Sequence, residues 1–279
     1  MNTQIVMVTP QMAKVWLEKN PCNRPIRMKV VDAFARDMKC GKWLLTHQGI
    51  AFDEEGNLLD GQHRLSAVAL SGCSVLMEVT TGLPRASMIA VDGGSIRDFR
   101  DAIVIDNKYK NDVALRQHGC IGVLNALLRF GYNSSITYTN AEREKMIDNI
   151  GEDLKAVWEA SSTKKGCLSA PIRAAALAAV MCGESVEDIQ LFFQVFTRGD
   201  VTGCFGLNTP ASFNFARYIL KAKANKMTIA NSKLYILSQN AIYQFIRGDR
   251  QNVAAGAGRL STFRYPVADK IKKILEEQL

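Results

Sequence analysis

Several things are missing from this 279-residue sequence, and each absence removes a class of function. No stretch approaches the roughly 20 uninterrupted apolar residues that would span a bilayer. The opening residues MNTQIVMVTPQMAKVW show no basic segment followed by an apolar core. A secretory signal is therefore not expected, and the protein is read as cytoplasmic with no membrane partner. The 7 cysteines, at positions 22, 40, 73, 120, 167, 182 and 204, include no CxxC pair and no histidine at ligand spacing. That argues against a disulfide framework or a structural zinc, and contexts such as AAVMCG around Cys182 fit buried thiols instead. GxxxxGK followed by Ser or Thr does not occur, nor does GxGxxG after a strand. Acids are also scarce in one place: residues 201–279 hold 12 Lys or Arg against 4 Asp or Glu, while the first 200 balance at 23 and 23. The whole net charge of +8 thus sits in the last quarter, as a surface for a polyanion would require, although a basic surface also serves solubility.

What remains is ordinary for a soluble globular chain, with 47% apolar and 22% charged residues, and its length favours two packed units. Thr9 before Pro10 marks a helix start, with Met12, Val15 and Trp16 as its apolar stripe, and this helix should end before Pro21. Val30, Val31, Phe34, Ala35 and Met38 recur at helical spacing, closed by Gly41. GIAF, the turn DEEGN and LLDG predict a β-hairpin, followed by a helix from Gln62 to Ser71 stopped by Gly72. SVLMEVTTG predicts a strand. PRASMIAVDGGSIRDFRDAI predicts a helical turn, a short strand MIAV, a glycine loop and a helix start.

Beyond about residue 101 strand signals fade. Val123, Leu124, Leu127 and Leu128 form a helical stripe, and Thr139 with Glu142 forms a capping box. Pro171 opens an alanine-rich helix to Met181, and Ser185 caps the helix carrying Ile189, Phe192, Phe193 and Phe196. Further helices are predicted at about 211–225, 231–247 and 266–277. The expected fold class is α+β, with an α/β domain over 1–105 and an all-α domain with a basic C-terminal part over 106–279.

The run LLDGQHRLSAVALSGC concentrates chemistry at one strand-to-helix junction. Backbone N–H groups around residues 61–64 lack intrahelical partners there, and such a turn suits an anion. Gly61 would let a ligand approach the backbone, and His63 and Arg64 add a switchable donor and a guanidinium fork. The arrangement fits a phosphate better than a metal. Equally, Asp60 and Gly61 could form a plain turn before a solvated helix start.

GNLLDGQHRLSAVALSG, the apolar strand after it and VDGGSIRDFRDAI together resemble the ParB/sulfiredoxin superfamily, in particular the DGQHR-bearing ParB-like proteins of phages and mobile elements. NRPIRMKVVDAFARDMKCGKW and GIAFDEEGN are similar to that group's N-terminal pattern, so the resemblance covers about residues 9–105. It implies a ParB/sulfiredoxin-like nucleotide-binding domain whose DGQHR loop holds nucleotide phosphates. Gly61, Gln62, His63 and Arg64 are the implied phosphate contacts, with Ser95 and Arg97 from a second loop and Arg24 and Arg27 as further nucleotide contacts. Asp60, His63 and Asp92 are the candidate catalytic groups, although Asp92 with Gly93 and Gly94 also reads as a turn and cap, and Arg24 and Arg27 also read as exposed residues. Mg²⁺ with a nucleoside triphosphate is the implied cofactor, with NTP hydrolysis or phosphate transfer as the chemistry, but no ligand set for the metal is assigned. Glu54 and Glu55 are read as solvated turn residues, and His47 as packed. Gln62 stands where sulfiredoxins carry their cysteine, which argues against sulfinate reduction. The GERR-like motif and helix-turn-helix of partition proteins are also missing.

In the basic tail, Arg247, Arg250, Arg259 and Arg264 are candidate nucleic-acid contacts. Tyr235, Tyr243, Phe245, Phe263 and Tyr265 lie between them but read better as core, since Leu234, Leu237, Ala241 and Phe245 share one helical face. The expected function is nucleotide binding coupled to DNA. The alternatives are a non-catalytic DNA-binding or regulatory phage protein, and a ParB-like nuclease, for which no compact cluster of metal-binding acids is visible.

Overall fold

The computed structural model describes residues 1–20, 23, 25–89, 99–105, 107–109, 111–161, 169–204, 209–247 and 263–277. The chain is mixed α+β, with helices predominating and a four-stranded sheet in the N-terminal part. It divides into two compact units, one formed by Met1–Ile96 with Ile136–Arg143, the other by Arg97–Ser135 with Glu144–Glu277.

In the first unit, β1 (Asn2–Val8) leads into α1 (Pro10–Glu18), whose first turn is held by Met12 N donating to Thr9 Oγ1 at 3.2 Å. Next come α2 (Met28–Lys39), β2 (Ile50–Asp53), β3 (Leu58–Asp60), α3 (Gln62–Ser71) and β4 (Val75–Leu83). The sheet order is β1-β4-β2-β3, in which β4 pairs antiparallel with β1 and parallel with β2, and β2 and β3 form the hairpin. Val31, Ala35, Ile50, Phe52, Leu65 and Met77 are among the side chains of its apolar core. Gly49 is required by the parallel pairing, because a Cβ there would lie 1.8 Å from the Glu78 carbonyl oxygen.

Two expectations for this unit are corrected. The first is an omission: β1 was not foreseen, and its ladder partner lies more than sixty residues away, with Thr3 opposite Thr80. The second is the strand MIAV: its first two residues, Met88 and Ile89, belong to a 3₁₀ turn at Arg85–Ile89 and not to the sheet, while Ala90 and Val91 lie outside the described residues. Ser87 N and Oγ both donate to the Pro84 carbonyl, so the proline opens the turn in which Met88 and Ile89 lie.

The segment 136–143 contains the predicted capping box: Thr139 N donates to Glu142 Oε2 at 2.8 Å, and Glu142 N to Thr139 Oγ1 at 3.1 Å. Arg36 places its fork on the same carboxylate, at 2.8 and 3.1 Å. Burial pushes the neighbouring Asp37 up to about 6; a hydrogen bond with Thr139 opposes the shift, and the Glu142 charge adds to it.

Every secondary-structure element among the described residues of the second unit is a helix. The unit contains α4 (Phe99–Ile105), α5 (His118–Leu127) with a π turn at Leu128–Tyr132, and the greater part of α6 (Asn140–Ala160). Then follow α7 (Ala170–Met181), α8 (Val186–Arg198), α9 (Thr209–Ala224), α10 (Asn231–Arg247) and α11 (Val267–Glu276). The start of α8 is capped by Ser185, which accepts from Asp188 N at 3.0 Å. α7 is buried on every face, with Ala174, Ala175, Ala176, Leu177, Ala178 and Ala179 fully enclosed, and packs on α5 and α10. Gly119 makes room for Trp158, whose ring would lie 2.2 Å from a Cβ at that position. α9 ends in a reversal at Lys226, which has φ 53. A lysine in that region costs about 1–2 kcal/mol that a glycine would not incur.

Candidate functional site

The DGQHR stretch forms the predicted strand-to-helix junction. β3 ends at Asp60, Gly61 turns the chain at φ 100 and ψ 8, and α3 begins at Gln62 without a side-chain cap. Gly61 has a different reason for being there than the one expected of it. A Cβ would sit 2.5 Å from Ile50 Cδ1 and 3.2 Å from the Gly49 carbonyl oxygen, so close packing on β2 demands the glycine.

Each polar side chain of the motif also ties this junction to its surroundings. Asp60 Oδ1 accepts from Gly61 N at 2.6 Å, and its other oxygen lies 3.4 Å from Arg64. Arg64 donates to the Gly49 carbonyl at 2.9 Å, closing α3 onto the entry of β2, while its second nitrogen lies 3.5 Å from Gln48 Oε1. Gln62 is buried, and its Oε1 accepts from Asn20 Nδ2 at 3.1 Å. His63 Nε2 accepts from Arg27 N at 3.0 Å, so that ring nitrogen carries no proton and a neutral ring has its proton on Nδ1.

The segment after α1 therefore runs alongside the motif. Arg27 meets it through the backbone, and its side chain is exposed beside the first turn of α3. Asn23 donates to the Leu58 carbonyl at 2.9 Å and to Asn20 Oδ1 at 2.6 Å, and Leu58 N donates to the Lys19 carbonyl at 2.7 Å. Asn20 and Asn23 were not identified from the sequence. An Asn-rich stretch around Pro21 signals a turn, but nothing in it points to a partner some forty residues on. Arg24, Asp92, Ser95 and Arg97 lie outside the described residues.

The acids near the hairpin separate by environment. Glu54 and Glu55 are exposed turn residues, as read from the sequence, whereas the buried Asp53, not singled out there, organises the turn. Its carboxylate accepts from Glu55 N, Asn57 N and Asn57 Nδ2 at 3.0, 2.7 and 3.0 Å. Burial works to raise the Asp53 pKa, but these hydrogen bonds and the nearby Arg85 outweigh it and hold the group below the ordinary carboxylate range. His47 is exposed, which corrects the expectation that it packs. Among the described residues no group of three or more His, Cys, Asp or Glu side chains comes together as a metal site.

In the helical unit, Arg247 bonds Glu184 Oε1 at 2.9 Å and lies over the Tyr243 ring. It is therefore engaged with a carboxylate whose side chain is only 7% exposed, and a phosphate would have to displace that pair. Arg264 is exposed, while Arg250 and Arg259 lie outside the described residues. Tyr235, Phe245 and Tyr265 are buried, and Tyr243 stacks on Phe263 at 3.8 Å, so these aromatics serve packing as expected. Burial pushes the Cys120 thiol up to about 12, in keeping with a buried, inert thiol. Cys40 is exposed. In comparisons with known proteins, the chain matches no family model, no curated protein and no solved structure.

Proposed function

We propose that the chain binds a nucleoside triphosphate by its phosphates at the first turn of α3 and acts on or with DNA, in the manner of a ParB/sulfiredoxin-like domain joined to a helical one. The observation that carries this reading is the start of α3 itself: a ten-residue helix with no side-chain cap, entered through Gly61 and bordered by Arg64 and the exposed Arg27. Orphan N–H groups and the positive end of the helix dipole favour an anion there. Ser95, Arg97 and Arg24 complete the proposed nucleotide contacts. Mg²⁺ enters with the nucleotide as the counter-ion of its phosphates. The described residues do not offer it a carboxylate set, and no hydrolytic or transfer step is assigned to Asp60, His63 or Asp92.

A second reading, a non-catalytic DNA-binding scaffold, is favoured by a specific observation. Asp60, Gln62, His63 and Arg64 each make a hydrogen bond within the first unit, which is what a motif retained for folding would show.

Calorimetric titration with ATP, CTP, GTP and UTP plus Mg²⁺ separates the two, followed by phosphate release with and without DNA. Arg64→Ala is expected to weaken nucleotide binding by about 2–3 kcal/mol, roughly 30- to 150-fold. Because Arg64 also holds the Gly49 carbonyl, Arg27→Ala accompanies it as a variant whose side chain makes no described contact, and it too should weaken binding. Unchanged affinity in both folded variants would remove the phosphate site, and wild-type protein that binds none of the four nucleotides would leave the scaffold reading.

A further inference from the structure

We propose that the hairpin of α9 and α10 is a nucleic-acid-binding surface that grips the phosphate backbone through Arg217, Lys221, Lys223, Lys226 and Lys233. This rests on the proposed contact with DNA and moves that contact away from Arg247. All five side chains are exposed, and among the described residues none of them makes an ion pair or a side-chain hydrogen bond. Several cations elsewhere are engaged, Lys108 with Glu144 and Asp148, Lys155 with Asp112, Arg36 with Glu142. No Asp or Glu occurs anywhere in residues 201–248, so the hairpin contains no acid of its own to neutralise them.

Two of the five stand where local preference disfavours them. Lys226 is the one non-glycine residue with positive φ among the described residues. It closes α9 with Met227 N donating to the Ala222 carbonyl at 2.8 Å and Lys226 N to the Lys223 carbonyl at 3.0 Å, a termination that normally selects glycine. Lys233 lies in the first turn of α10, which holds no acid, and there the helix dipole opposes a cation. Lys221 and Lys223, in the last turn of α9, are favoured by the dipole and alone would say nothing. A lysine at both unfavourable positions points to a use for charge at this surface, because residues that break local rules without a packing reason concentrate at functional sites.

The apolar exposure on the hairpin selects the kind of polyanion. Phe213, Leu220 and Met227 are 40%, 60% and 64% exposed. Phe213, Arg217, Leu220 and Lys221 follow one another at helical spacing on the outer face of α9. A helix that lies in a membrane surface presents its whole apolar face to lipid. Here that face is turned inward, with Ala211, Phe215, Ile219 and Ala222 buried. Isolated apolar side chains set among cations suit a nucleic-acid strand, whose phosphates take the charges and whose sugars and bases cover the rest.

The test is fluorescence anisotropy of the full chain with a labelled oligonucleotide of about 30 residues, single-stranded and duplex, across roughly 50–200 mM salt. Replacing Lys221, Lys226 and Lys233 together by Gln should weaken binding roughly tenfold or more and flatten the salt slope by about 2–3. Lys226→Gly should raise Tm while weakening binding severalfold, opposite movements that a merely structural lysine would not produce. NTP titration of the triple variant should be unchanged, which separates this surface from the site at α3. A triple variant with wild-type affinity and slope would overturn the assignment to the hairpin while leaving DNA binding in place. Wild-type protein that ignores both oligonucleotides but sediments with phosphatidylglycerol-containing vesicles would overturn the choice of partner, and wild-type protein that binds neither would overturn the surface.

Discussion

Gly61 and Gly72 bracket α3, and replacing each with alanine separates two costs that either substitution alone would merge. Both have positive φ, at 100 and 74. A side chain in that region costs about 1–2 kcal/mol at either end. Only Gly61 is also crowded: its new Cβ would meet Ile50 Cδ1 at 2.5 Å, whereas nothing lies within 4 Å of one at Gly72. Ile50 is buried in the core of the first unit and has no open side to move into. Overpacking of that kind adds about 1–3 kcal/mol. Gly72→Ala should therefore lower stability by about 1–2 kcal/mol and Gly61→Ala by about 2–5 kcal/mol. Denaturant unfolding gives the two values, and hydrogen exchange resolved to residues 50–71 shows whether the loss is centred on β2 and α3. Equal costs at the two positions would refute the reasoning, since only Gly61 meets β2.

Asp37 has a pKa raised to about 6, so its folded form holds a proton more tightly than its unfolded form, and stability falls as pH rises from its ordinary value near 4 through 6. Asp37→Asn should remove that loss, making the protein more stable by about 1 kcal/mol above pH 6 after allowing for solvent screening, with little change below pH 4. Parallel melting profiles over pH 4–8 would contradict the sign. Gly119→Ala would place a Cβ 2.2 Å from the Trp158 ring, which lies under the Arg173 guanidinium at 4.5 Å. It should cost about 1–3 kcal/mol and shift tryptophan emission, and an unchanged Tm would show that the ring can move aside.

What the sequence made legible was mostly local chemistry. Thr9 with Pro10, Thr139 with Glu142, Ser185, and Gly72 closing α3 each act within a few residues of themselves, and each is found where the residue types predicted. Non-local pairing was not legible. β1 has the composition of a strand, but its partner strand lies beyond three helices, and its burial pattern is largely exposed rather than alternating. Met88 and Ile89, which open the apolar run MIAV, had the composition of a strand too, and the preceding Pro84 outweighed it. At the DGQHR junction the turn and the helix start were legible, while the claims of Gly49, Asn20 and the Arg27 backbone on Arg64, Gln62 and His63 arise only when distant segments are brought together. The cations of the hairpin were visible only as a total charge, because exposure, absence of partners and backbone conformation are properties of the fold.

The alanine helix α7 bears on how the second unit folds. Alanine has the highest intrinsic helix propensity and surrenders no side-chain rotamers on burial. α7, with five of its alanines at 0% exposure between positions 174 and 179, is therefore helical by inclination and indifferent to rotamer choice. It acts as a post of mostly small side chains, on which its neighbours must settle. α5 and α10 bring most of the branched and aromatic side chains, and their register against α7 is keyed by its few large residues, Ile172, Leu177 and Met181.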